Sequence, residues 1–125
     1  MNKFKELLGV TLHAIDGKVN GEEMNFILTN GNKYQLAHYQ DCCEHVRIAE
    51  IIGDLSDLIN TPILLAEEVS QNDKTPEGMT ERNYDESYTW TFYKLATING
   101  SVTIRWLGES NGYYSESVDF NLIEN

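Results

Sequence analysis

Asn-Gly occurs four times in a chain of 125 residues, at Asn20-Gly21, Asn30-Gly31, Asn99-Gly100 and Asn111-Gly112. Both residues tolerate positive φ, so the pair between alternating apolar runs is the strongest short-range signal for a β-hairpin. Three or four hairpins are therefore expected. They imply a mainly β fold, an antiparallel sheet built from hairpins with one or two short helices, with α+β as the alternative. Strands are predicted over 10–16, 23–29, 33–39, 45–52, 62–69, 88–98, 101–108 and 113–122. Period-two alternation is clearest in Tyr88, Trp90 and Phe92 and in Val102, Ile104 and Trp106.

The turn chemistry also predicts register. A three-residue loop at Thr29-Asn30-Gly31, with the glycine left-handed, pairs Phe26 with Tyr34 and Met24 with Leu36. The same loop at Ser110-Asn111-Gly112 sets Ile104 opposite Val118 and Val102 opposite Phe120. A two-residue loop would instead set Ile104 against Asp119, a buried side chain against a charge. Short helices are expected at 2–8 and at 54–60, where Asp54 can cap the start, Asp57 follows at the third position and Pro62 prevents continuation. The segment 70–87, SQNDKTPEGMTERNYDES, has no apolar period and reads as a long mobile loop. No linker divides the chain, so residues 1–125 are read as one domain, long enough to bury a core without a disulfide.

The net charge is −11, and its placement is uneven. Residues 41–86 hold twelve acids against three bases, whereas residues 1–40 hold four of each. Such a field repels a phosphate backbone and attracts basic partners, which argues against direct nucleic-acid binding. The rival explanation is that an acidic surface serves solubility. Near the N-terminus Gly9, His13 and Asp16 interrupt the apolar run before it could act as a signal core, and no run approaches a membrane span of roughly 18 residues. A soluble, intracellular protein is the expectation.

Both cysteines fall in one stretch, His38 to His45, reading HYQDCCEH. Adjacent cysteines have Cα atoms about 3.8 Å apart, below the usual disulfide span, so Cys42 and Cys43 are expected as free thiols or metal ligands. Thiolate and imidazole are the usual zinc ligands, which makes His38, Cys42, Cys43 and His45 the candidate set. Adjacent cysteines in a strand diverge, so convergence needs a turn at residues 40–43. If only one cysteine ligates, Asp41 or Glu44 would complete the shell. The competing explanation is a small buried cysteine with solvated histidines at a strand edge. A redox thiol is disfavoured by the acidic neighbours Asp41 and Glu44.

Other patterns carry less. Gly108-Glu109-Ser110-Asn111-Gly112 matches the G-x-S-x-G nucleophile elbow, but YYSESVDF follows it as a strand, not a helix, so Ser110 is read as a turn residue. No phosphate loop, HExxH zinc signature or calcium loop is present. Glu67 and Glu68 are neighbours on a predicted strand, so they point to opposite faces and form no dyad by themselves. Tyr88, Trp90, Phe92, Tyr93, Trp106, Tyr113 and Tyr114 place aromatics on both faces of the sheet. Either both faces are covered or one meets a partner.

The blocks HYQDCCEHVRIAEIIGDLSDLINTPILLAEE and YTWTFYKLATINGSVTIRWLGESNGYYSESVDF resemble a family of small phage- and prophage-encoded proteins without an agreed activity. The chain also resembles phage anti-CRISPR proteins, small acidic inhibitors of the RNA-guided nuclease of type II CRISPR systems, some of which bind zinc. The resemblance implies inhibition by binding in the host cytoplasm, without catalysis. Such nucleases hold nucleic acid in positively charged channels, which an acidic face can meet. On this reading the zinc is structural, and Asp54, Asp57, Glu67, Glu68, Asp73 and Glu77 bind the basic host protein. Two alternatives stand beside it: a small metal-dependent hydrolase using the cysteine motif and a nearby carboxylate, and a protein that sequesters a small signalling ligand on its aromatic sheet.

Overall fold

A computed structural model of the protein describes residues 3–38, 44–72, 87–110 and 116–123. The Asn30-Gly31 turn forms with Gly31 at φ +93°, the Gly31 amide donating to the Leu28 carbonyl at 3.0 Å and the Leu28 amide to Asn32 at 2.9 Å. It joins β2 (Glu23–Leu28) to β3 (Lys33–Ala37) in the expected register, with Phe26 opposite Tyr34 and Met24 opposite Leu36. A two-residue turn, Ile98-Asn99, joins β6 (Ser87–Thr97) to β7 (Gly100–Ser110), two long strands paired along their whole length, with Gly100 opposite Thr97. The remaining strands are β1 (Leu12–Asp16), β4 (His45–Ile52), β5 (Leu65–Asn72) and β8 (Asp119–Ile123). The protein is mainly β, and every pair of neighbouring strands among the described residues is antiparallel.

The strands form two four-stranded sheets, ordered β1-β2-β3-β8 and β4-β7-β6-β5. Here the register expected around Asn111-Gly112 is overturned. Val118 and Phe120 do not pair with β7. Ile104 lies between Ile51 and Tyr93, and Phe120 pairs with Leu36 on β3. Strand β7 already has β4 and β6 as neighbours, so both its rows of backbone groups are taken and the next strand must pair elsewhere. Asn111 and Gly112 themselves lie outside the described residues. Ser110, expected in the turn, is instead the last residue of β7 and is buried.

Alternation places one core between the sheets. Met24, Phe26, Leu36 and Phe120 come from the first sheet, and Val46, Ile48, Tyr93, Leu95, Ile104 and Trp106 from the second. Both segments expected as helices are short 3-10 turns. In the first, Lys3–Leu7, Phe4 and Leu7 are buried, and the Phe4 ring meets those of Phe26, Tyr93 and Phe120 at centroid distances of 6.2, 4.8 and 5.3 Å. The second, Leu55–Leu58, is capped by Asp54, whose carboxylate accepts from the Ser56 hydroxyl at 2.7 Å and from the Ser56 amide at 3.0 Å, and is held below the usual carboxylate range by the first and then the second of these.

On the β1 and β4 side the two sheets are stitched by backbone. Asn20, at φ +72°, donates its amide to Ile48 at 2.7 Å, and Gly21 accepts from the Ile48 amide at 2.8 Å, beside the irregularity between Ile48 and Glu50. Asn20-Gly21 thus serves as an inter-sheet fastener. Gly9 and Val10 exchange hydrogen bonds with Ile63 at 2.8 and 2.9 Å. On the β5 and β8 side the first 3-10 turn fills part of the gap, beside one cleft lined by β5 and β8 and a second lined by β5, β6 and residues 116–118. Of the predicted loop 70–87, residues 70–72 continue β5 and Ser87 begins β6. Residues 73–86 lie outside the described residues.

Candidate functional site

His38 follows β3 and Glu44 precedes β4, so their side chains meet where the chain passes from one sheet to the other. The His38 Nδ1 lies 2.8 Å from the Ser117 carbonyl, which can only accept, so Nδ1 carries the hydrogen. Its Nε2 lies 2.9 Å from Glu44 Oε2, with the two side chains 5% and 1% exposed. A hydrogen bond thus joins two almost fully buried side chains. Histidine, carboxylate and the strand leading into β8 are tied together.

This arrangement differs from the predicted ligand set. His45 is exposed at the start of β4, opposite Glu109, while its neighbour Val46 enters the core. Cys42 and Cys43, with Asp41, lie outside the described residues. A metal bound by His38 and Glu44 together would hold N and O about 3.4 Å apart, from bond lengths near 2.1 Å at a tetrahedral angle. The observed 2.9 Å is a hydrogen bond. Among the described residues no three His, Cys, Asp or Glu side chains are grouped to hold a metal ion. The described donors thus do not fit a tetrahedral zinc centre as they stand.

The predicted acidic face is also divided. Asp54 is exposed and Asp57 half-buried at the second 3-10 turn, where the Asp57 carbonyl accepts from the Thr97 hydroxyl. Glu67 is exposed across from Lys94, and Glu68 turns the other way to accept from the Tyr93 hydroxyl at 2.7 Å, as their adjacency on a strand requires. Asp73 and Glu77 lie outside the described residues. A different set of carboxylates shares a face that the sequence reading missed. Asp16, Asn25, Gln35 and Asn121 form one cross-strand row on the outside of the first sheet, and Glu23, Ala37 and Asp119 form the next. Gln35 donates to Glu23 and to Asn25, both at 3.0 Å. The signal was present on β2, β3 and β8 as the polar residues Glu23, Asn25, Gln35, Asp119 and Asn121, which alternate with the inward-facing Met24, Phe26, Leu36 and Phe120.

The outer face of the second sheet carries charge pairs around apolar residues. Arg47 bonds Glu109 at 2.9 Å and Arg105 bonds Glu50 at 2.8 Å, with the Arg105 guanidinium 5.8 Å from the Phe92 ring centroid. Trp90, Phe92 and Leu107 form a separate buried cluster there. Aromatics therefore do occupy both faces, Tyr93 and Trp106 inside and Trp90 and Phe92 outside. Tyr113 and Tyr114 lie outside the described residues.

A polar cleft of about 290 Å³ lies on the β5 and β8 side, lined by Glu68, Ser70, Thr89, Thr91, Glu116, Ser117 and Val118. Glu116 accepts from Thr89 at 2.8 Å and from Ser110 at 2.6 Å, one donor on each oxygen. It sits over Gly108, where a Cβ would come 2.4 Å from the Glu116 carbonyl oxygen, so no larger residue leaves room for this segment. Burial, followed by the Glu68 carboxylate beside it, pushes the Tyr93 hydroxyl far above the ordinary tyrosine range. Tyr93 thus stays a neutral donor to Glu68.

No helix among the described residues is long and apolar enough to cross a membrane. Comparison with curated proteins and with solved structures finds no match. One family model covers nearly the whole chain, residues 5–120, and the chain belongs to that family, described as a domain of unknown function (DUF7448).

Proposed function

We propose that the protein acts by binding and not by turnover, as a phage-encoded acidic inhibitor that docks on a basic host protein. The partner class is the RNA-guided nuclease of a type II CRISPR system, met in the host cytoplasm, as the resemblance of its sequence blocks implies. The observation that supports this is the division of charge. Arg47 and Arg105, the arginines among the described residues, are both committed to Glu109 and Glu50. The carboxylates of Asp16, Glu22, Glu23 and Asp119 are exposed and have no lysine or arginine ion pair among the described residues. Lys3, Lys5, Lys18, Lys33 and Lys94 also form no ion pair among the described residues, but the carboxylates outside those pairs outnumber them, so the uncommitted charge is negative on balance, which favours a basic protein over nucleic acid. The structural zinc expected from His38, Cys42, Cys43 and His45 would add to the His38–Glu44 contact, which joins the segments after β3 and before β4.

The test is a titration of the protein against a fixed amount of purified type II nuclease loaded with its guide RNA. Inhibition should be complete near one equivalent and should weaken steeply with salt, since exposed charges are screened within about 10 Å at 0.1 M. Reversing Asp16, Glu22 and Glu23 to lysine should raise the inhibitory concentration at least tenfold. Progressive loss of nuclease activity at far below one equivalent would replace binding with turnover, and no inhibition at any ratio would end the proposal.

A further inference from the structure

Along β6 the inward-facing side chains change character. Tyr93 and Leu95 are fully buried in the apolar core, whereas Thr91 and Thr89 face the cleft. Their cross-strand partners change with them: Ser70 stands opposite Thr91 and Gly108 opposite Thr89. Hydroxyls and carboxylates occupy positions that a sandwich of this kind ordinarily fills with apolar side chains. Thr91 is only 3% exposed, yet among the described residues its hydroxyl has one hydrogen-bond contact, to Ser70 at 3.5 Å, the outer limit of a hydrogen bond. Burying a hydroxyl without a good partner is costly, so such a group in a cleft is poised for one.

Among the described residues, the two carboxylates of the cleft have no lysine or arginine ion pair. Glu116 is fixed by Thr89 and Ser110. Glu68 uses Oε2 for Tyr93, and its Oε1 has no hydrogen-bond partner among the described residues. Lys3 lines the adjoining cleft with Glu68 but forms no ion pair with it. A small metal ion needs ligands converging on a point, and no such group is found among the described residues. Acceptors spread over Glu68, Glu116, Ser70 and Thr91 instead suit a cation with several donors in a planar fork. Guanidinium has five such donors and is weakly hydrated, whereas ammonium is a compact and strongly hydrated point charge.

We propose that this cleft is an arginine-binding subsite: it receives one arginine side chain of the basic partner, with Glu68 as the principal acceptor. The proposal rests on the binding function above and names the contact that would confer specificity on it. The probe is N-acetyl-arginine amide, titrated into ¹⁵N-labelled full-length protein. N-acetyl-citrulline amide serves as its neutral isostere and N-acetyl-lysine amide as the point-charge control. Saturable shifts are expected at the amides of Ser70, Thr91 and Val118 with the arginine compound, at least fivefold weaker binding with lysine, and no response to citrulline.

Glu68→Gln keeps an acceptor for Tyr93 and should weaken binding at least tenfold. Should that variant fail to fold, Ser70→Arg, which carries a guanidinium into the cleft from within, should abolish the response. The subsite is overturned by absence of saturable shifts at those residues, by an equal response to citrulline or lysine, or by unchanged binding in the folded variant. Arginine binding without nuclease inhibition would overturn the partner and leave the subsite standing. Inhibition without arginine binding would do the reverse.

Discussion

Tyr93→Phe tests whether the buried hydroxyl and Glu68 work as a pair. The ring is fully buried, and the hydroxyl donates to Glu68 Oε2 at 2.7 Å. Phenylalanine keeps the ring volume, so little cavity cost is expected and the loss is that of one hydrogen bond to a carboxylate, about 1.5–3 kcal/mol. Glu68 is only half-buried and can be rehydrated, which places the expected loss near the lower end, about 1.5 kcal/mol at pH 7. The pH dependence gives a sharper signature. The Tyr93 hydroxyl is raised far above its ordinary range in the folded protein, chiefly by burial and further by Glu68. In the unfolded chain it ionises near pH 10.

Above that pH the unfolded state binds one proton fewer than the folded state, so stability falls as pH rises. From this tyrosine the loss is about 1.4 kcal/mol by pH 11. The stabilising contribution is complete below pH 10 and is lost above it. The phenylalanine variant has no hydroxyl proton to lose, so urea melts from pH 8 to 11 should show the wild-type advantage shrinking to almost nothing. The difference between the two proteins cancels the other tyrosines and lysines. A gap that stays constant across this range would refute the burial argument, and a gap that widens would reverse its sign.

Three further outcomes follow from the same geometry. In a double-mutant cycle of His38→Ala, Glu44→Ala and the double variant, the coupling energy from denaturant melts should exceed about 1 kcal/mol, as for buried partners in contact. Additivity would mean that the pair does not join the sheets. Because that junction is closed by a hydrogen bond, EDTA should leave the thermal midpoint of untagged protein unchanged. One zinc per chain found by native mass spectrometry, with a midpoint that drops on chelation, would instead support the zinc shell expected from His38, Cys42, Cys43 and His45. Gly108→Ala forces a methyl group against the Glu116 carbonyl oxygen and should cost about 2–3 kcal/mol through overpacking. The same variant should also broaden the amide signals of Ser117 and Val118, and sharp unchanged signals would deny that Gly108 holds this segment.

Local chemistry was legible in the chain. The Asn30-Gly31 turn, its register, the Asp54 cap and the opposite directions of Glu67 and Glu68 depend on residues near one another, whose φ preferences and period of two act regardless of what surrounds them. The candidate site was less so. The histidine and cysteine motif drew attention by composition, yet the partners of His38 are Glu44 and a carbonyl 79 positions away, a distance in sequence that no local pattern can bridge. The carboxylates of the cleft illustrate the same limit, since Glu116 looks ordinary until Thr89 and Ser110 are brought to it.

By itself the sequence determined the hairpins, the strand periodicity and the negative charge, because these follow from backbone preference and residue type. Tertiary structure alone decided which strands are neighbours. Residues 110–120 carry the same alternation whether β8 pairs with β7 or with β3, and only the prior occupation of both edges of β7 sends it to the other sheet. That one crossing carries Glu116 over Gly108 and Ser117 to His38, and so creates the cleft. Hydrogen-bonding capacity, exhausted on one strand and available on another, is the physical reason.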